Sequence, residues 1–230
     1  MFKISNNNKN LAIVILIGGK STRFGSDKGL FEFNGKSLLT HQLERLSQLE
    51  YKIFLIANSV KQVNIYIEKV NYEVVTAFII DEQDIISNKN INTPMLGLYS
   101  AFKELDRLKY KKAFALSCDT PLIKKEVITY LIKESKDFDC CIPQWNNGFL
   151  EPLFAIYPIQ KAYIKAKENL INKTYKLINL LDNNWKINYV SIEDSIIPID
   201  KNLTSFININ EPGDLQKLID AIQNKWIFKK

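Results

Sequence analysis

Leu11-Ala12-Ile13-Val14-Ile15-Leu16-Ile17 runs directly into Gly18-Gly19-Lys20-Ser21-Thr22-Arg23-Phe24-Gly25-Ser26-Asp27-Lys28. A strand with one wet face would alternate apolar and polar residues. An unbroken apolar run that stops at glycine instead reads as a strand buried on both faces, as in a parallel sheet covered by helices. Ligands of such sheets bind beyond the carboxyl ends of the strands, so the residues after Ile17 stand where a ligand would sit. Gly18 and Gly19 lack side chains, which lets backbone N–H groups approach phosphate oxygens closely. Lys20, Arg23 and Lys28 add positive charge, and Ser21 and Thr22 offer hydroxyl donors.

Two common phosphate motifs are excluded by spacing. A P-loop needs glycine five residues before Gly-Lys-Ser, but Val14 and Leu30 occupy the two positions concerned. A dinucleotide fingerprint needs Gly-x-Gly-x-x-Gly, whereas the next glycine after Gly19 is Gly25.

The rest of the chain repeats a strand, loop and helix rhythm. Leu39, Leu43, Leu46 and Leu49 recur at helical spacing, and Lys52 to Ala57 is a second buried strand ending at Asn58. Ala77 to Ile80 is a short strand ending at Asp81. Met95, Tyr99, Phe102 and Leu105 mark an amphipathic helix opened by Thr93-Pro94. Lys112 to Cys118 is a further strand, stopping at Asp119-Thr120-Pro121, and Val127, Ile128, Leu131 and Ile132 give another helix. This pattern predicts an α/β fold with crossover connections. Beyond Asp137, Cys140–Ile142 and Leu153–Tyr157 flank a Trp145-Asn146-Asn147-Gly148 turn and read as a hairpin. Two helices, strands near 187–192 and 205–209, and a final helix carrying Leu215, Leu218, Ile219, Ile222 and Trp226 complete the expectation. Residues 1–10 read as a flexible tail on a single domain spanning 1–230.

Polar residues at strand ends have two readings each. Asp119 is a hard oxygen ligand suited to Mg²⁺ bridging nucleotide phosphates, or the cap of an Asp-x-Pro turn. Asn58 and Asp81 are ligand contacts on the same sheet edge, or turn formers. Asn208 and Asn210 precede the last helix, where Asn210 would also serve as N-cap ahead of Pro212.

The net charge of +6 suits an anionic substrate or a lysine-rich surface, and no basic run or basic–aromatic stripe argues for nucleic acid. With His41 as the only histidine, His-rich zinc sites are excluded and a Ser-His-Asp hydrolase is disfavoured. Cys118, Cys140 and Cys141 have no metal-ligand spacing; the adjacent pair on a strand would face opposite ways, as small buried hydrophobes in a reducing cytosol. No apolar stretch is long enough to span a bilayer, so a cytoplasmic protein is expected.

The residues resemble a known family. Leu16-Ile17-Gly18-Gly19, Ser21, Arg23-Phe24-Gly25 and Asp27-Lys28 are similar to the signature of the molybdenum cofactor guanylyltransferases. The likeness continues through Thr93-Pro94-Met95-Leu96-Gly97-Leu98, Ser117-Cys118-Asp119-Thr120-Pro121, Glu151-Pro152-Leu153-Phe154-Ala155-Ile156-Tyr157 and Phe206-Ile207-Asn208-Ile209-Asn210. It implies a Rossmann-like three-layer sandwich with a mostly parallel central sheet, of the nucleotide-diphospho-sugar transferase type. It implies transfer of GMP from GTP to the terminal phosphate of molybdopterin, releasing pyrophosphate, with transient contacts to other cofactor-biosynthesis proteins or molybdoenzymes. By the same resemblance Leu16, Ile17, Gly18, Gly19 and Ser21 lie at the nucleotide, and Lys28 and Arg23 neutralise its phosphates. Asn58 and Asp81 hold guanosine, Asp119 binds Mg²⁺, and Asn208 and Asn210 lie near the pterin or the metal. Ile17 and Thr93 stand where the family usually has Ala and Gly. The rival in the same superfamily is a guanylyl- or cytidylyltransferase acting on another phosphorylated acceptor, of cobinamide, isoprenoid or phospholactate type. Gly18-Gly19 and Asp27-Lys28 favour the guanylyl branch.

Overall fold

A computed structural model describes residues 9–18, 27–85, 92–209 and 213–214. In chain order its elements begin with β1 (Leu11–Leu16), all six of whose residues are buried. A two-residue turn at Asn34-Gly35, both with positive φ, joins β2 (Glu32–Phe33) to β3 (Lys36–Ser37). Ser37 caps α1 (Leu38–Leu46) by accepting from the Thr40 N–H. Then come β4 (Lys52–Ala57), α2 (Val60–Lys69), β5 (Val75–Ile80), α3 (Pro94–Arg107), β6 (Lys112–Ser117) and α4 (Lys125–Glu134). The chain continues through β7 (Cys140–Gln144), β8 (Phe154–Pro158), α5 (Ile159–Ile171) and β9 (Ile187–Ser191).

Seven strands form one sheet in the order β5-β4-β1-β6-β8-β7-β9. Strands β5, β4, β1 and β6 are mutually parallel. β8 runs antiparallel to both neighbours, and β9 lies parallel to β7. Alternation along the strands sorts the core into two layers. Ile13, Ile15, Leu55 and Leu116 pack with Leu39 and Leu43 of α1, Tyr66 of α2 and Val127 and Leu131 of α4. Val14, Leu16, Phe54 and Ile56 pack with Leu98, Phe102 and Leu105 of α3 and Ala162 and Ala166 of α5. The three-layer α/β sandwich with a mostly parallel sheet is therefore observed as expected.

The chain leaves β1 for β4 and β5 on one side, then returns through α3 to place β6 on the other. The β1/β6 junction is thus the topological switch point, where a crevice opens at the carboxyl edge. Cys140 and Cys141 fall in opposite core layers, as two consecutive strand residues must.

Three expectations need correction. Residues 205–209 do not form a strand. Leu203 takes a left-handed backbone (φ 48°), and the buried Asp200 carboxylate accepts from the Ser205 N–H at 2.8 Å. Those contacts turn the chain into a short 3-10 turn, Thr204–Phe206, after which the Ile209 N–H donates to Asp119 O at 3.0 Å. The second of the two helices expected after Tyr157 is a single 3-10 turn, Leu177–Leu180. In the expected tail, the Lys9 and Asn10 carbonyls accept from the Lys111 and Lys112 N–H groups, so the chain is already paired there; residues 1–8 lie outside the described residues, as does the final helix at 215–226. Helix α2 was not anticipated: the residues it buries most deeply are Gln62 and Tyr66, so it shows no aliphatic stripe.

Candidate active site at the carboxyl edge of the sheet

Gly18, Asn58, Asp81 and Asp119 each follow the carboxyl end of one of the four parallel strands. Gly18 packs close to its neighbour strand: a Cβ there would sit 3.5 Å from the Asn58 backbone nitrogen. The Ile17 and Gly18 N–H groups both donate to Ile56 O, at 3.0 and 3.2 Å. What Gly18 offers the crevice is therefore its missing side chain rather than its amide. Gly19, Ser21, Arg23 and Asn210 lie outside the described residues.

Where the chain resumes, Lys28 opens a 3-10 turn and its Nζ lies 2.6 Å from Asp119 Oδ2. The two side chains come from residues 91 positions apart, across the β1/β6 switch point. Both are largely buried, with 21% and 13% of their side-chain surface exposed. Asp119 Oδ1, the other carboxylate oxygen, is buried with no hydrogen-bond partner. A buried, unpaired carboxylate oxygen is costly unless something fills its place, and a hard cation is the natural occupant. Among the described residues no group of three or more His, Cys, Asp or Glu side chains could hold a metal alone. A metal here would share its coordination between Asp119 and ligand oxygens, the usual arrangement for Mg²⁺ on nucleotide phosphates.

A glutamine that sequence reading missed holds this edge together. Gln62 of α2 donates through Nε2 to Ile17 O at 3.0 Å and to Asp27 Oδ1 at 3.1 Å. Its Oε1 accepts from the Asn58 N–H at 2.8 Å. One buried amide thus ties the ends of β1 and β4 to the residue before Lys28. Gln42 of α1 does the same on the other side, donating to Ser117 O at 2.8 Å and Thr120 Oγ1 at 3.0 Å. The lone histidine, His41, is engaged structurally: its Nε2 lies 2.7 Å from Phe33 O.

Asp81 is 7% exposed, its Oδ1 has no hydrogen-bond partner, and burial pushes its carboxyl up to about 7. Gly97 of α3 makes room beside it: a Cβ there would lie 3.5 Å from Asp81 Oδ1 and 3.3 Å from Leu16 Cδ2. A buried oxygen without a partner suits a ligand bringing N–H donors, which would favour the ionised carboxylate.

Asn208 is exposed and lines a cavity of about 200 Å³ with Asp119, Thr120, Glu151, Leu153, Phe154 and Phe206. Glu151 opens one of the blocks that carry the family resemblance, but no role is read for it there, because a carboxylate in a hairpin loop carries no periodic signal. Its Oε1 accepts from Trp145 Nε1 at 2.7 Å. Burial raises the Glu151 carboxyl and the Asp119 charge raises it further, while the Trp145 N–H pulls the other way.

Among the described residues no helix is long and apolar enough to cross a membrane. Residues 13–183 match the MobA-like NTP transferase domain family. A probable molybdenum cofactor guanylyltransferase of Pyrococcus horikoshii is 36% identical over 209 residues, covering 89% of this chain and 97% of that protein. One of Thermococcus gammatolerans is 33% identical over 213 residues, with 89% and 96% covered. Among solved structures, molybdopterin-guanine dinucleotide biosynthesis protein A from Archaeoglobus fulgidus superposes with a TM-score of 0.73 at 24% identity, over 93% of this chain and 99% of that one.

Proposed function

This chain belongs to the MobA-like NTP transferase family, and we propose that it transfers GMP from GTP to the terminal phosphate of molybdopterin, with Mg²⁺, releasing pyrophosphate. The observation that carries the reading is the Lys28–Asp119 pair at the switch point, with Asp119 Oδ1 left open beside it. Nucleotidyltransferases of this kind generally work with a divalent ion. Bound Mg²⁺ supplies charge neutralisation at the phosphates, and Asp119 is the side chain placed to hold it.

Lys28 then stabilises the charge that develops at the α-phosphoryl group, and Arg23 is proposed to assist from the loop. A phosphate monoester is already ionised near neutral pH, so the attacking oxygen needs no general base, in keeping with a site built without histidine. Catalysis is positioning plus electrostatics. Leu16, Ile17, Gly18, Gly19 and Ser21 are proposed to seat the nucleotide. Asn58 and Asp81 face its guanosine, the Asp81 carboxylate accepting from guanine N–H groups. Asn208 and Asn210 are proposed to serve the acceptor.

The deciding experiment is calorimetric titration of GTP, CTP, ATP and UTP with Mg²⁺ present, followed by pyrophosphate release on adding molybdopterin. The reading expects GTP to win by at least tenfold, about 1.4 kcal/mol, and release to stop when the divalent ion is chelated. Preference for CTP, or release only with another phosphorylated acceptor, would replace it.

A further inference from the structure

The hairpin between β7 and β8 overhangs the carboxyl edge because β8 runs backwards in the sheet. Leu116 at the end of β6 pairs with Phe154 at the start of β8, so the residues just before Phe154 arrive beside Asp119. Glu151 is fixed there by its backbone as well as by its side chain. Its N–H donates to Pro143 O at 3.1 Å and its carbonyl accepts from the Phe154 N–H at 3.0 Å. The Trp145 ring that holds its carboxylate is edge-on to Phe206 at 5.9 Å, and Phe206 lies 4.6 Å from Phe154. The next residue, Asn146, is in turn bound through its N–H to both Glu193 oxygens at 3.1 Å. Glu151 is therefore a carboxylate locked in orientation in the lining of a cavity whose apolar side is formed by Leu153, Phe154, Leu177 and Phe206.

The lining of that cavity includes two carboxylates, Asp119 and Glu151, and no Lys or Arg. Its aromatic and aliphatic walls suit a flat, uncharged ring, and a fixed carboxylate suits two adjacent N–H donors on that ring. One Glu151 oxygen already serves Trp145, which leaves the group better suited to accepting hydrogen bonds than to acting as a second metal ligand.

We propose that Glu151 recognises the acceptor, its carboxylate accepting hydrogen bonds from the amino and ring N–H edge of the acceptor's fused heterocycle while the phosphate end reaches Asp119. This rests on the guanylyl-transfer reading above and adds the residue that selects the second substrate.

The test is Glu151→Gln, which keeps an oxygen for Trp145 but replaces one acceptor with a donor. Initial rates are measured with molybdopterin varied at saturating GTP and Mg²⁺, alongside calorimetric GTP affinity and Tm. The expected result is a KM for molybdopterin raised tenfold or more, with kcat within about threefold and unchanged GTP affinity and Tm. Trp145→Phe, which frees the carboxylate from its support, should raise the same KM by a smaller factor. An unchanged KM in Glu151→Gln overturns the inference, and so does a matching loss of GTP affinity, which would place Glu151 in the nucleotide and metal site. If the wild-type protein binds GTP but transfers nothing to molybdopterin, the guanylyl-transfer reading itself fails, and the inference with it.

Discussion

Lys28 and Asp119 are the residues on which the proposed chemistry turns. Replacing either with alanine should lower turnover by about 10²-fold or more, the scale of losing one preorganised electrostatic group. Steady-state pyrophosphate release checks this, and near-wild-type rates would remove the residue from the mechanism. Asp81 makes a different prediction, because its burial costs stability. Its carboxyl is raised from 3.8 to about 7, so the folded state holds a proton that the unfolded chain has released across that window. Stability attributable to Asp81 is full below about pH 4 and is lost as pH rises toward 7. Asp81→Asn should abolish that slope and raise stability above pH 7, by on the order of a few kcal/mol at most, with a higher Tm. It should also weaken GTP binding, since an amide offers guanine one acceptor and one donor. Thermal melts across pH 5–8 and GTP calorimetry on the same variant would separate the two effects.

At the level of the element, α2 carries more of the site than its sequence suggests. Gly29, one residue past Lys28, packs so tightly on it that a Cβ would meet the Tyr66 hydroxyl at 2.7 Å and Cys118 Sγ at 3.3 Å. Gly29→Ala should therefore destabilise the protein and displace Lys28. Adding Tyr66→Phe, which removes the obstructing oxygen, should recover part of the lost Tm; absence of any recovery would mean that the close approach is not the cause. Gln62 explains why this element escaped the sequence reading. Hydrophobic periodicity reports faces covered in Leu, Ile and Val, while the work of α2 is done by a buried amide with partners at positions 17, 27 and 58. The strand ends were legible for the opposite reason: LAIVILI, IFLIA and AFAL are continuous apolar runs whose following polar or glycine residues mark the crevice. On the acceptor side only Asn208 and Asn210 were named from sequence, and those by resemblance alone. Residues 205–209 have β-like composition, but the Asp200 carboxylate bends them into a turn, and Glu151 reaches the site only through the reversal of β8.

Across the whole molecule, the far wall of the crevice is tied down by one buried ion pair. Lys124, just before α4, lies 2.6 Å from Asp200, whose side chain is fully buried, and the Lys124 N–H donates to Ser205 Oγ at 3.0 Å. Burial pushes the Asp200 carboxyl up, but the Lys124 and Ser205 contacts outweigh it and leave the group below its ordinary value. The stability it contributes is thus present above the usual carboxylate range and lost as pH falls through the lowered value. Asp200→Ala should cost roughly 3 kcal/mol, the lower end for breaking a buried pair because Lys124 keeps some contact with water. Urea unfolding gives the measurement, and molybdopterin KM should suffer more than GTP affinity because Phe206 and Asn208 hang from this anchor.

The backward course of β8 has one more consequence. In the proposed reading nucleotide handling is built on the four parallel strands, while the second substrate meets a hairpin tip held by its own Trp145 and Glu151 and, through Asn146, by Glu193 beyond β9. Such a tip is an interchangeable tool head. Grafting a different turn between Gln144 and Phe154 would present a new chemistry to the same activated phosphate, and a lineage could change what it labels while keeping intact the handle with which it grips GTP.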